Sequence, residues 1–281
     1  MTQPTAKRFT IEEYHRLIEL GFFPEGDRTE LIQGQIIQKF SPGNPQAVCS
    51  MNLNEKSINL NDSSIAEEFE FIQGYGRLTK VVNPLHPMTL ATAKRFTIEE
   101  YHRLIELGFF PEGDRTELIQ GEAIQMVSKG KPHAVCCSLL IRELFKLLED
   151  GATIRCQDPI TLPNHSEPEP DFTLVRNRED NYLSHHPMPE DILLVIEIAD
   201  SSLDYDRQVK LPLYAEAGIS DYWIVNLLEK QLEIYTTPYQ KLSGTFDYRQ
   251  KQVKLPNETT SIPGFEGLSL DLNRVFPAIS L

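Results

Sequence analysis

Three residues in the C-terminal half have types and spacing suited to chemistry. Asp171 directly follows Pro170 at the start of a predicted strand, PDFTLVR; Glu197 lies near the end of another, LLVIEIA; Lys210 sits on the helix that follows, DRQVKLPLYAEAG. Two carboxylates on neighbouring strands can hold Mg²⁺ or Mn²⁺ through oxygen, leaving other positions for water and a phosphate oxygen. The lysine would orient or activate the attacking water and offset developing negative charge. A purely structural reading stands beside this one. In it Asp171 caps a turn and Glu197 forms a buried ion pair with Lys210, since structural ion pairs mimic catalytic ones. Were the carboxylates unpaired, alanine at either position would leave the fold intact or more stable.

Two further candidates stand out through a repeat. Residues 5–34 recur without change as residues 92–121, and beyond them IIQKFSPGNPQAVC weakly matches AIQMVSKGKPHAVC. Glu122 thus faces Gln35, and His133 faces Gln46. One copy keeps an acid and an imidazole where the other has amides, which suggests that only the second copy feeds a working site; neutral drift is the alternative. His133 opens a predicted helix, where it would touch phosphate or a metal-bound water, or merely fill space. Lys129 and Lys131 beside it are better placed for a phosphate backbone than Arg249 and Lys251, whose charges suit an edge strand.

The elements that must position these groups are readable. In each copy FTIEEYHRLIELG has a Thr N-cap, a Glu three positions on and apolar residues at helical spacing. TELIQGEAIQMV alternates about a Gly and predicts a hairpin. SLLIRELFKLLEDG predicts an amphipathic helix closed by Gly151, whereas its counterpart SMNLNEKSINLNDSS lacks the apolar stripe. After Gly151 the period changes to two: TIRCQ, PITLP, PDFTLVR, DILLVIEIA, DYWIVNLL and QLEIYTTP read as strands, YRQKQVKLP as an outer hairpin strand, and GFEGLSLDLNRVF as a short terminal helix. LLVIEIA is apolar on both faces except at Glu197, as in a central strand covered by helices, and a carboxylate there needs a partner or a metal. Pro212 disturbs the helix around Lys210, because it removes a backbone donor and crowds the preceding turn. Asp206 is placed to support Lys210 across one turn or to be solvated. Asp200, Ser201 and Ser202 suit a helix cap. Trp223 reads as core or a dimer contact, and His15, His102, His185 and His186 as surface or loop residues.

Composition narrows the classes. With 40% hydrophobic and 24% charged residues, the chain of 281 has an ordinary globular balance. The formal charge is -14, of which 92–281 carry -11. That is the wrong sign for a general DNA coat protein, although a metal ion supplies its own local positive charge. No apolar run approaches the roughly 18 residues of a membrane span, and MTQPTAKRF lacks a signal-peptide core, so a cytoplasmic protein is expected. Cys49, Cys136, Cys137 and Cys156 show no paired spacing and read as reduced thiols. GYGRLT at 74–79 lacks the strand and helix that a phosphate loop needs.

The order GExxxM, PHAVC, EPEPDFTLV and LLVIEIADSSLDYDRQVKLPLYAEAGISDYWIVN resembles the Uma-two family of restriction endonucleases, within the PD-(D/E)XK nuclease superfamily. The resemblance covers roughly residues 93–240. It implies an α/β fold with a restriction-endonuclease-like core, a four-stranded mixed central sheet flanked by helices, a divalent metal (Mg²⁺ or Mn²⁺), and phosphodiester hydrolysis in DNA, with a homodimer as a fair expectation. Asp171 and Glu197 match the metal-binding carboxylates, Glu122 the extra acid from the N-terminal part, and Lys210 the lysine placed on the following helix. The superfamily pattern puts that lysine two residues after Glu197, where this chain has Ala199. The expected organisation is a degenerate partial repeat with its connector at 1–91 and the nuclease domain at 92–281. The two FTIEEYHRLIEL helices are alike enough to exchange places.

Overall fold

In both copies of the repeat the same capping box starts the helix. Thr10 and Thr97 accept the backbone N–H of Glu13 and Glu100 at 3.1 and 3.2 Å, and those glutamates accept the cap N–H at 2.8 and 2.9 Å. Four donors that a helix start leaves unpaired are thereby satisfied. The computed structural model describes residues 4–40, 90–111 and 113–277; Gln46, Cys49, SMNLNEKSINLNDSS and GYGRLT lie outside them. The first copy forms β1 (Thr5–Ala6), α1 (Ile11–Glu19), β2 (Arg28–Ile32) and β3 (Gln35–Phe40). The second forms β4 (Leu90–Ala93), α2 (Ile98–Glu106), β5 (Thr116–Ile119) and β6 (Glu122–Gln125). Gln33 and Gly34, like Gln120 and Gly121, all have positive φ, the requirement of a type I′ hairpin turn.

The chain divides into two units, Met1–Ala6 with Phe96–Leu281 and Lys7–Arg95. In the larger unit the hairpin β5–β6 takes β1 as its third strand, with Thr5 opposite Gln125 and Ala6 opposite Ile124. In the smaller unit β2–β3 takes β4, with Thr92 opposite Gln38 and Ala93 opposite Ile37. The two registers are equivalent under the repeat. Each copy's leading Thr-Ala therefore pairs with the other copy's hairpin, while α1 and α2 stay with their own, as Phe9 N–H to Gly34 O and Phe96 N–H to Gly121 O show. Of the exchange expected for the helices, only the strands ahead of them take part. Identical partners make the two pairings equal in contact energy, so chain connectivity decides between them.

The larger unit continues with α3 (Lys131–Leu148), β7 (Thr153–Cys156), β8 (Phe172–Val175) and β9 (Ile192–Ala199). A helical stretch over 203–216, here α4, then leads to β10 (Asp221–Asn226), β11 (Gln231–Gln240) and β12 (Phe246–Lys254). The sheet order is β12-β11-β10-β9-β8-β7, with β9 and β10 parallel and the remaining neighbours antiparallel. It is the expected mixed sheet, with six strands instead of four. Leu140, Leu144 and Leu148 of α3 pack with Leu194, Ile196 and Trp223 on one face. Tyr214 and Ala215 of α4 pack with Val195 and Ile224 on the other. Trp223 is core, as expected. No helix among the described residues is long and apolar enough to cross a membrane.

Two assignments change. PITLP is not a strand: it contributes only an isolated bridge, Leu162 to Ser166, because prolines at both ends supply no ladder donor. The terminal helix is a single 3₁₀ turn (Leu272–Arg274), preceded by a small hairpin, β13 (Thr259–Ser261) with β14 (Ser269–Asp271). On edge strand β12, Arg249 lies over the Tyr239 ring and Lys251 pairs with Glu233 at 2.8 Å.

Glu233 ties α4 to the sheet. Its fully buried carboxylate accepts from the Arg207 guanidinium through two nitrogens and from Tyr235 Oη at 2.6 Å and Asn226 Nδ2 at 3.0 Å. Burial alone would push this carboxyl up, but Arg207, Lys251, Tyr235 and Asn226 together hold it well below the usual range. Glu233→Gln should destabilise the protein at neutral pH by about 2 kcal/mol, the scale of charged hydrogen bonds. A depressed folded-state pKa contributes stability above the unfolded value near 4.3 and loses it as pH falls. The wild-type advantage in urea melts should therefore be full at pH 7 and shrink below about pH 4; an advantage independent of pH would contradict the charge assignment.

Candidate active site

Four elements of the larger unit converge on one acidic centre. Asp171 enters β8 after Pro170, and its Oδ2 accepts the N–H of Ile198 at 2.9 Å. The same oxygen faces His133 Nε2 at 2.9 Å, and Oδ1 is paired with the Lys129 ammonium. Asp171 is thus bound to the neighbouring strand and does not cap a turn. Burial works against its charge, but His133 and Lys129 outweigh it and hold the carboxyl well below its ordinary value.

Glu197 faces α4 because β9 alternates: Leu194, Ile196 and Ile198 point into the core beside α3, and Val195 and Ala199 into the other. Its Oε1 accepts from Lys210 Nζ and from Tyr214 Oη, both at 2.8 Å, and Oε2 accepts the Asp171 N–H at 3.3 Å. The structural ion pair of the sequence reading is therefore present. Lys210 reaches it through the irregularity that Pro212 imposes. An α-helical register would send the missing Pro212 N–H to Gln208, so the turn Asp206–Lys210 widens into a π-helix, with Leu211 N–H reaching back to Asp206 O. Lys210 is only 2% exposed. Desolvation disfavours its charge, yet Glu117, Glu197 and Asp206 raise its pKa well above the usual lysine value, so it acts as a fixed cation.

Glu117 joins this group, although nothing in the sequence reading singled it out. It lies on β5, 1% exposed, with Oε1 3.3 Å from Lys210 Nζ and Oε2 buried without a hydrogen-bond partner among the described residues. Burial pushes its carboxyl up to about 7, against the pull of Lys210. The repeat equivalent, Glu30, has a half-exposed side chain. The Glu117 carboxylate meets buried Lys210, whereas Glu30 pairs with part-exposed Lys39. Glu122 is half-buried on β6 opposite Ile119. By strand alternation it shares a hairpin face with Glu117, two pairs further toward the turn.

Other residues fall into place around the centre. Asp206 is buried, which excludes a solvated role; burial and the Glu197 charge push its carboxyl well up. Ser202 occupies the N-cap position, but its hydroxyl donates to Asp206 Oδ2 at 2.7 Å instead of capping. His102 is half-exposed yet pairs with buried Glu167 at 2.7 Å. Asp171 and Glu197 are both paired, so the premise of unpaired carboxylates does not hold; alanine at Glu197 strips buried Lys210 of a counter-charge, and alanine at Asp171 strips part-buried Lys129 of one.

Carboxylate oxygen is the donor type that a hard divalent cation takes. Glu117, Asp171 and Glu197 offer buried carboxylates, and Glu117 Oε2 is a buried oxygen with no hydrogen-bond partner among the described residues. The model of the Uma2 family, described as "Putative restriction endonuclease", matches residues 98–273. A crystal structure titled as a putative nuclease belonging to DUF820 from Anabaena variabilis shares the fold: TM-score 0.50 and 16% identity, over 64% of this chain and 97% of that one. No curated protein matches the chain. With the restriction-endonuclease-like sheet in place and the family match spanning most of the larger unit, the chain belongs to the Uma2 family.

Proposed function

We propose that the larger unit is a divalent-metal-dependent endonuclease that hydrolyses phosphodiester bonds in DNA. The observation that supports this best is two buried carboxylates, Glu117 and Glu197, paired with one buried lysine, with buried Asp171 donating its N–H to Glu197 and Glu117 Oε2 without a hydrogen-bond partner among the described residues. Glu117, Asp171 and Glu197 would hold Mg²⁺ or Mn²⁺, with Glu122 reaching the same face. When bound, the ion supplies Lewis-acid polarisation of the phosphate and a more acidic water.

The chain's own residues do the rest. Ile198 N–H and His133 fix the direction of Asp171, and Tyr214 and Lys210 fix Glu197. Lys210 holds its positive charge beside the carboxylates, where it offsets charge developing on the phosphate. Lys129 is only part-buried and can leave Asp171 for a phosphate oxygen. That local cation matters in a region of net charge -11.

The test is plasmid cleavage with Mg²⁺ or Mn²⁺, compared between wild type, Asp171→Asn and Glu197→Gln. Each substitution should lower the rate by at least about 100-fold, the usual scale for loss of one electrostatic contact at a reacting phosphate or acyl centre. Metal should also raise the melting temperature of wild type more than that of the double variant. The contrary reading, a silent nuclease fold kept for binding, draws on Asp171 being already saturated by Lys129 and His133. It requires no cleavage and equal metal response in both proteins.

A further inference from the structure

At Asp171, three side chains with different donor chemistry meet: His133, Cys137 and Asp171 itself. His133 and Cys137 are four residues apart on α3, which puts them on one helix face. Cys137 Sγ is 3.4 Å from His133 Nδ1, and Asp171 Oδ2 is 2.9 Å from His133 Nε2. One donor from each lies within 4.8 Å of the others. Tetrahedral zinc bound by one sulfur and one imidazole nitrogen holds them about 3.5 Å apart, given bonds of about 2.3 and 2.0 Å. The observed sulfur–nitrogen separation matches that spacing. Metal-bound histidines characteristically present their second nitrogen to a carboxylate, which fixes the tautomer and strengthens the ligand. Asp171 stands where that carboxylate belongs.

We propose that His133 Nδ1 and Cys137 Sγ form a binding site for a thiophilic divalent cation of the Zn²⁺ or Co²⁺ class, with Asp171 supporting the imidazole and water completing the coordination. Its donor atoms, nitrogen and sulfur, differ from the oxygens of Glu117, Asp171 and Glu197, and the two groups share only Asp171. Magnesium is excluded by the sulfur ligand. The thiol must lose its proton on binding, and burial, reinforced by the Asp171 charge, pushes it up to about 12. A hard ion leaves such a thiol protonated, whereas a thiophilic one displaces the proton. Cys137 is only partly buried, so an ion has access, while neighbouring Cys136 is fully buried and turned into the core. The inference stands independently of nuclease activity, because its readout is spectroscopic.

The experiment is titration of the reduced full-length protein with Co²⁺, followed by near-ultraviolet absorption. Wild type should develop a sulfur-to-cobalt charge-transfer band that Zn²⁺ bleaches and excess Mg²⁺ does not. Cys137→Ser should abolish the band, Cys136→Ser should keep it, and His133→Gln should weaken Co²⁺ binding at least tenfold. Far-UV circular dichroism and melting would establish that each variant is folded; Cys137→Ala serves if the serine variant is not. A wild-type protein without the band, or a band that survives loss of Cys137, would overturn the proposal.

Discussion

Replacing Lys210 by methionine is expected to lower the melting temperature of the metal-free protein by about 10 °C. Lys210 is 2% exposed and lies between Glu197 at 2.8 Å and Glu117 at 3.3 Å. Removing one partner of a buried ion pair typically costs 3–5 kcal/mol, because the remaining charge has neither water nor a counter-ion. In a unit of this size each kcal/mol shifts the midpoint by roughly 2–4 °C. Methionine fills the space of the alkyl stem, so the loss reports charge more than a cavity. Two companion results separate this from ordinary core damage. Mn²⁺ should restore more stability to Lys210→Met than to wild type, since the ion supplies the missing positive charge, and lysine is not itself a ligand. Glu197→Gln combined with Lys210→Met should be less damaging than the sum of the two singles, the sign expected for groups in direct contact. Cleavage by Lys210→Met with bound Mn²⁺ should fall by about 100- to 1,000-fold. If the variant melts within a degree or two of wild type in chelator, the buried carboxylates are not charged against this lysine, and the electrostatic account of the site fails.

Most of that centre was legible in the sequence for a definite reason. An acid inside LLVIEIA has no apolar explanation, and PD at a strand start, with a lysine on the next helix, gives it partners. Pro212 marked the place where α4 had to depart from regular geometry, and the π turn is the form that departure takes. Glu117 is silent in the comparison of the two copies, because Glu30 repeats it without change. The signal available was the one that found Glu197, a lone acid among apolar strand residues, in TELI. What makes Glu117 special is its contact with Lys210, 93 residues away, which local pattern does not encode. The Asp171–His133 bond is likewise a tertiary product: the sequence offered the imidazole, and only the packing of α3 beside β8 aims it. PITLP failed for the opposite reason, since its alternation imitates a strand that its prolines prevent from pairing.

The repeat makes a final, sharper test possible, because the fold exchanges two strands whose sequences are interchangeable. A protein consisting of residues 90–281 should fold, bind metal and keep whatever cleavage the full chain has. Its own Thr92 and Ala93 would replace Thr5 and Ala6 opposite Gln125 and Ile124, in the register that the smaller unit already displays at Gln38 and Ile37. A protein of residues 96–281 has no such strand to offer. There β6 becomes a bare edge and the place of Ala6 against the core is empty. Two lost ladder bonds at about 1 kcal/mol each, with some apolar exposure, predict a loss of roughly 2–3 kcal/mol, or a melting temperature about 5–10 °C lower. The paired comparison isolates the strand, because both proteins lack the first copy entirely. Equal melting of the two fragments would mean that the third strand contributes nothing. Failure of the 90–281 protein to fold, with the full chain sound, would show that Thr5–Ala6 and Thr92–Ala93 are not equivalent despite their identity, and that the first copy is part of the nuclease core.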